Sequence, residues 1–417
     1  MIKKVLHIST SDKGGAATAC LRLHIGMLKS GIDSKMLILD KHSTSNPQVH
    51  QFWEFKNYKK IGKAFNFFKR HIIPYLNERK LSGKPDEYEI FTLPNSLFDL
   101  TTHPLYKEAD IVHLHFVADF LNWSTFFRKN DKPVVWTLHD MNPFTGGCHY
   151  SAGCKKFIDD CSNCPQLTNT KNMNLSNKIL EQKKFLLHKI NNLKIISPSS
   201  WLKHLAEESQ VFKNKEIIQI PHGIDKNIFK PHNRKFAREL FAIPDNKFIL
   251  LFAPDDFNRK NKGMDFIPQI INRLSHRNDI LLCLVGKNTE SFNFDSDNII
   301  KLGYINNEQM MSLAYSSADL TLVLSREEAF SLTTLESLAS GTPVIAFKST
   351  GPDDLIIHKQ SGWLSENYST EDFSNGILWF IENPEILRKA SEFSDRHTAE
   401  NFSIEKQVES YLRIYNL

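Results

Sequence analysis

The 417-residue chain predicts an α/β fold of two doubly wound Rossmann-like domains facing a central cleft. Short apolar runs alternate with amphipathic helical stretches almost throughout. That rhythm pauses at Ile220-Pro221-His222-Gly223-Ile224-Asp225, the expected hinge, and restarts at Phe248. The length also exceeds what one hydrophobic core usually supports, so two domains of roughly 200 residues are expected. The first is expected over 1–220 and the second over 221–395, with 396–417 a helix crossing back to the first.

Taken in order, Val5 to Ser9, Lys35 to Asp40, Ile111 to His115, Pro133 to Leu138 and Lys194 to Ser197 read as buried strands of the first sheet. Each is a short apolar run bounded by polar or turn residues, and helices such as Ala16 to Ser30 lie between them. Phe248 to Ala253, Ile280 to Val285, Ile299 to Leu302, Leu320 to Leu324 and Val344 to Phe347 repeat the pattern in the second sheet. Ala399 to Tyr415 has helical periodicity. No internal repeat or low-complexity tract interrupts this order.

The stretch EAFSLTTLE carries most of the functional signal. A loop follows the strand ending at Leu324, and a helix is expected from near Ser331 to Gly341, where Gly341-Thr342-Pro343 stops it. The backbone of Phe330, Ser331, Leu332 and Thr333 then lies at a helix N-terminus on the carboxyl edge of a parallel sheet, where free amides bind anions. Glu328 and Glu336, eight positions apart, flank that start and can accept hydrogen bonds from hydroxyls on either side of a phosphate. The ligand this describes is a nucleotide sugar. The plainer alternative is two acids favoured by the helix dipole.

This arrangement resembles the retaining glycosyltransferases of family 4, which have the GT-B fold. The resemblance implies that Glu328 contacts the sugar, Glu336 the ribose hydroxyls, and the amides around Ser331 to Thr333 the diphosphate. It extends to Lys262-Gly263 in APDDFNRKNKGMD, which is similar to the Lys-Gly opening the first helix of the second domain in that family. The family more often has an Arg about five residues earlier; here Asp256 and Phe257 stand there, and Arg259 is the substitute. Lys262 and Arg259 are therefore expected to neutralise the diphosphate. The resemblance also makes Gly14 and Gly15, in the turn after the first strand, candidates for lining the donor site. His139, at the end of PVVWTLHD, matches a histidine beside the transferred sugar.

The Gly14-Gly15 turn lacks the G-x-G-x-x-G dinucleotide fingerprint, which argues against a dehydrogenase. A net charge of +5 without a zinc-finger, RNA-recognition or helix-turn-helix signature argues against nucleic acid. No run of eighteen apolar residues occurs and VLHIS is too short and polar for a signal core, so the expected location is the cytoplasm. No Asp-x-Asp ends a strand at the cleft, so no cofactor is expected to be required for chemistry; Asp255-Asp256 is the nearest acidic pair.

Cys20 and Cys283 fall in predicted elements and read as core. Cys148, Cys154, Cys161 and Cys164 crowd into the loop 148–164 and can supply four thiolates to a structural zinc, the alternatives being reduced thiols or an iron-sulfur cluster. That loop follows His139-Asp140 and is expected on the acceptor side of the cleft. The stretch TLHDMNPFTGGCHY…C…CPQL also resembles a subgroup of the family found in bacterial exopolysaccharide, capsule and O-antigen assembly. Between the second and third predicted strands, Phe65, Phe68 and Ile72 can segregate from Lys63, Lys69 and Arg70 on a helix. Such a helix lies either on an anionic inner-membrane surface or with its aromatic face in the core.

The resemblance implies transfer of a sugar from a nucleotide-diphosphate donor to a glycan or lipid-linked glycan acceptor, with retention at the anomeric carbon. Two other classes compete. A phosphorylase or epimerase on the same fold is disfavoured by the lack of a pyridoxal-phosphate lysine signature, and a noncatalytic sugar-binding module by the presence of Glu328, Glu336, Lys262 and His139 together.

Overall fold

The computed structural model describes residues 3–54, 75–77, 79–85, 87–167, 174–188, 190–292, 298–348 and 350–416. The chain divides into two compact units, Met1–Pro221 with Gln407–Leu417, and His222–Lys406.

The first unit is built on a seven-stranded parallel sheet of order β3-β2-β1-β4-β5-β6-β7. Its strands are β1 Lys4–Ser11, β2 Asp33–Asp40, β3 Val49–Gln51, β4 Ile111–Leu114, β5 Val134–Thr137, β6 Leu193–Ser197 and β7 Ile217–Gln219. The second unit has a six-stranded parallel sheet, β10-β9-β8-β11-β12-β13. Here β8 is Phe248–Phe252, β9 Ile280–Val285, β10 Ile299–Gly303, β11 Leu320–Val323, β12 Val344–Phe347 and β13 Gly362–Ser365. Both sheets reverse their winding in the middle, between β1 and β4 and between β8 and β11. A doubly wound sheet opens a crevice at the carboxyl ends of such strands.

Apolar runs without polar alternation form these strands because both faces are covered. In β8, Ile249 and Leu251 join a core with Leu335 and Leu338, while Leu250 and Phe252 join another with Phe373 and Ile377. Successive residues point to opposite faces, so each layer takes every second side chain.

The C-terminal segment differs from the single helix expected. Pro384–Asn401 and Ile404–Tyr415 are separate helices. Between them the chain pairs with Ile224: the Ile224 amide donates to Phe402 O at 2.8 Å and the Ile404 amide to Ile224 O at 3.0 Å. Those bonds replace helical ones and break the helix. Residues after Lys406 belong to the first unit, where the Tyr411 and Tyr415 hydroxyls lie 2.6 Å from Thr137 Oγ1 and 2.5 Å from His113 Nδ1. No helix among the described residues is long and apolar enough to cross a membrane. Lys63, Phe65, Phe68, Lys69, Arg70 and Ile72 lie outside the described residues.

Candidate functional site

In the second unit the residues singled out from the sequence gather where β8 and β11 end. The turn after β8 carries Arg259 and Lys262, and the loop after β11 carries Glu328. Lys262 Nζ donates to Glu328 Oε1 at 2.5 Å, with only 16% and 14% of the two side chains exposed. Ser325 Oγ donates to the same oxygen at 2.8 Å. Lys262 Nζ also lies 4.0 Å from Asp255, which accepts from Arg259 at 3.1 Å. Burial acts to raise the Asp255 carboxyl, but the Lys262 and Arg259 cations more than offset it and hold it below its ordinary range. Asp256 instead accepts from the Asn258 amide at 2.9 Å and Asn288 Nδ2 at 2.8 Å. The suspected acidic pair is therefore split between two sets of partners.

Two glycines bring the loops together. Gly263 has φ +76°, and a Cβ there would stand 2.0 Å from Leu324 O, so the Lys262 turn rests against the end of β11 only with glycine. Gly351 donates its amide to Glu328 O at 2.9 Å, and a Cβ on it would lie 2.5 Å from the Phe330 backbone.

The helix after this loop is Leu332–Ala339, shorter at both ends than expected. Ser331 precedes it with φ +77°, an uncommon conformation for a residue with a Cβ, and its Oγ accepts from the Thr334 amide at 3.3 Å. Leu332 and Thr333 lie in the first turn, where amides have no intrahelical acceptor. Phe330 is 3% exposed and packs on His222 at 5.0 Å between ring centroids, so only its backbone is open to a ligand role. Glu336 Oε2 accepts from the buried Tyr315 hydroxyl at 3.0 Å.

Other groups here were not legible beforehand. Arg326 makes a two-pronged pair with Asp265 at 3.0 and 2.6 Å, stacks on Phe266, and donates its amide to Asn261 O at 2.8 Å. It stitches the two loops together. Asn261 buries a side-chain amide whose nitrogen and oxygen both lack hydrogen-bond partners among the described residues. Such a group is uncommon in a folded chain. Only the basic run RKNK hinted at Asn261; the Arg326–Asp265 pair spans 61 residues and has no local signature.

In the first unit, Gly14 and Gly15 follow β1, and His139 follows β5. Gly14 has φ +95° and leads into the Gly15–Lys29 helix. His139 Nε2 lies 3.1 Å from His115 Nδ1, and His115 Nε2 lies 3.0 Å from His7 Nδ1. The relay ends at His7 Nε2, which has no hydrogen-bond partner among the described residues. Burial pushes His7 well below its ordinary range and His139 down to about 4, with Asp140 partly opposing the second shift. His139 is therefore a neutral imidazole near pH 7. Sequence reading isolated it but missed the relay, because His7 lies within β1 while His115 and His139 follow β4 and β5.

His7, Cys20 and His115 form the one group of three such side chains whose ligand atoms lie within 4.8 Å of one another among the described residues. The His7–His115 hydrogen bond explains that closeness. Asp140 accepts from the Asn142 amide and pairs with His149 Nδ1, each at 2.7 Å, and so anchors the cysteine-rich loop.

The second unit thus joins a doubly wound sheet to an acid-lysine pair near a helix start at its switch point. Residues 233–397, within the second unit, match the family model Glycosyl transferases group 1. An uncharacterized glycosyltransferase of Haemophilus influenzae is 29% identical over 229 residues, which are 52% of this chain and 60% of that protein, less than two thirds of its length. WcaC of Escherichia coli K12, assigned as a glycosyl transferase to colanic acid biosynthesis, is 24% identical over 434 residues, covering 97% of this chain and 96% of its own. Among solved structures, Anabaena Alr3699/HepE in complex with UDP-glucose has a TM-score of 0.65 at 15% identity, covering 99% of each chain. That likeness shows the fold, which is of the GT-B class.

Proposed function

We propose that this chain is a retaining glycosyltransferase of family 4 that moves a sugar from a nucleotide-diphosphate donor to a lipid-linked glycan in bacterial surface polysaccharide assembly. The observation that carries the donor assignment is the Lys262–Glu328 pair at the switch point of the group 1 domain, with Glu336 in the helix beyond it. Glu336 accepts the ribose hydroxyls, Glu328 a sugar hydroxyl, and the Leu332 and Thr333 amides the diphosphate with Lys262 and Arg259. Asn261 supplies a further polar contact. The HepE complex with UDP-glucose supports a nucleotide sugar as donor, and the WcaC name supports the glycan class.

In this reading the bond from the anomeric carbon to the diphosphate oxygen breaks. An acceptor hydroxyl bonds to that carbon on the same face, and its proton passes to the leaving diphosphate. His139, neutral, hydrogen-bonds the sugar and does not serve as a cation, while Gly14 and Gly15 let backbone amides approach the ligand. The protein cations take the charge that a metal would otherwise neutralise, so no metal is required for transfer. The chain works in the cytoplasm at the inner membrane face, where a lipid-linked acceptor is reached.

The test is nucleoside diphosphate release from UDP- and GDP-sugars in the presence of EDTA. Glu336→Ala is expected to weaken donor binding about ten- to hundredfold, the loss of one charge-assisted hydrogen bond, while Glu328→Ala mainly lowers turnover. Both effects should persist with EDTA. Donor affinity and turnover unchanged in both variants would refute the residue assignment, and activity abolished by EDTA but restored by manganese would refute the metal-free mechanism.

A further inference from the structure

The cysteine-rich loop is not used by the proposed transfer reaction, yet its four cysteines face one cavity. Cys148, Cys154, Cys161 and Cys164, separated in sequence, together line a cavity of about 20 Å³, and none forms a disulfide. That volume holds roughly one water-sized sphere. No three of the sulfurs lie within 4.8 Å of one another, whereas ~2.3 Å zinc–sulfur bonds would bring them to about 3.8 Å apart. The thiols therefore ring the cavity more widely than metal-bound thiolates would.

Burial pushes the Cys148, Cys161 and Cys164 thiols up, and backbone amides act against that at two of them. The Gly146 amide is directed at the Cys161 sulfur, and the Gln166 and Leu167 amides at the Cys164 sulfur. Lys183 is fully buried beside Cys148 and Cys161, and its Nζ donates to Asn142 O and Thr145 O. Burial pushes its ammonium down to about 7, an effect that Cys148, Asp140 and Cys161 partly oppose when they are ionised. Four thiolates around a divalent ion would carry a net double negative charge, which a cation at Lys183 would partly balance. Cys161 and Asn163 adopt the left-handed backbone, with φ of +56° and +50°.

We propose that Cys148, Cys154, Cys161 and Cys164 bind one thiolate-preferring divalent metal ion of the zinc class, in a closed tetrahedral site that takes no part in catalysis. Each thiol loses its proton to solvent as its sulfur bonds the metal, so no redox partner is needed. The bound metal would fix the loop that presents His149 to Asp140, beside His139, and would do so whatever sugar is transferred.

Protein purified without chelator is expected to contain about one zinc per chain, and cobalt substitution to give the intense visible bands of a tetrahedral thiolate site. Mass spectrometry after native alkylation should find these four cysteines protected until a strong chelator is added. Cys161→Ser with Cys164→Ser should abolish the metal. If that variant does not fold, Cys154→Ser alone should release zinc at a lower chelator concentration than the wild type. Absence of zinc, iron with inorganic sulfide in its place, a disulfide mass among these residues, or alkylation of all four without chelator would each overturn the proposal.

Discussion

Lys262→Ala is expected to damage both the stability of the second unit and its affinity for donor. Its ammonium lies between Glu328 at 2.5 Å and Asp255 at 4.0 Å, and the pair with Glu328 is largely withdrawn from water. Removing the cation leaves Glu328 with only the Ser325 hydroxyl for compensation among the described residues. We expect a stability loss of about 3 kcal/mol, the low end for breaking a buried pair. Donor affinity should fall about ten- to hundredfold as a charge-assisted contact to the diphosphate is lost. The double variant Lys262→Ala with Glu328→Ala separates the two effects. It should recover most of the stability, because no unpaired carboxylate remains, and none of the affinity. Denaturant unfolding and nucleotide titration of the three proteins check this; a double variant no more stable than Lys262→Ala would contradict it.

Gly263→Ala should reproduce the loss of donor binding while keeping every charge. The left-handed conformation at φ +76° costs a residue with a Cβ about 1–2 kcal/mol. The new methyl would also stand 2.0 Å from Leu324 O, a backbone atom at the end of β11 that cannot swing aside. Relieving that overlap costs a further ~1–3 kcal/mol and moves the 260–263 turn away from Glu328 and Arg326. Gly303 is a control: its φ is +72°, but nothing lies within 4 Å of a Cβ there. Gly303→Ala should show the conformational cost alone. Thermal midpoints and nucleotide titrations of both variants decide the matter, and equal losses in the two would contradict the steric argument.

The two sheets were legible because their central strands are buried on both faces, which makes runs such as FILLF and ILLCLV apolar without alternation. Three edge strands were missed. VHQ, IIQ and GWLS are three or four residues long, with polar or small members, and only their neighbours make them strands. Residues 399–415 looked like one helix because periodicity does not register the pairing of Ile224 with Phe402 and Ile404 that breaks it.

The candidate site divides along the same line. Glu328, Glu336 and Lys262 stood out through local spacing around strand ends. The direct ion pair between Glu328 and Lys262 was not legible, nor were the Arg326–Asp265 clasp and the unpartnered Asn261, since each arises from strand order within the second sheet. In the first unit His139 was visible as a polar residue ending an apolar strand, but its coupling to His115 and His7 requires β1, β4 and β5 to lie side by side.

The central claim is that the second unit holds the donor diphosphate at the start of the Leu332–Ala339 helix, and amide hydrogen exchange tests it most directly. First-turn amides lack intrahelical acceptors and exchange readily unless a ligand accepts from them. The experiment uses UDP-glucose and GDP-mannose, taking whichever nucleotide sugar the chain hydrolyses. Saturation with it should slow exchange in peptides spanning 329–335 and 255–263, and Glu336→Ala should demand more ligand for the same protection. Hydrolysis of that sugar at saturation with exchange unchanged in both segments would contradict the account.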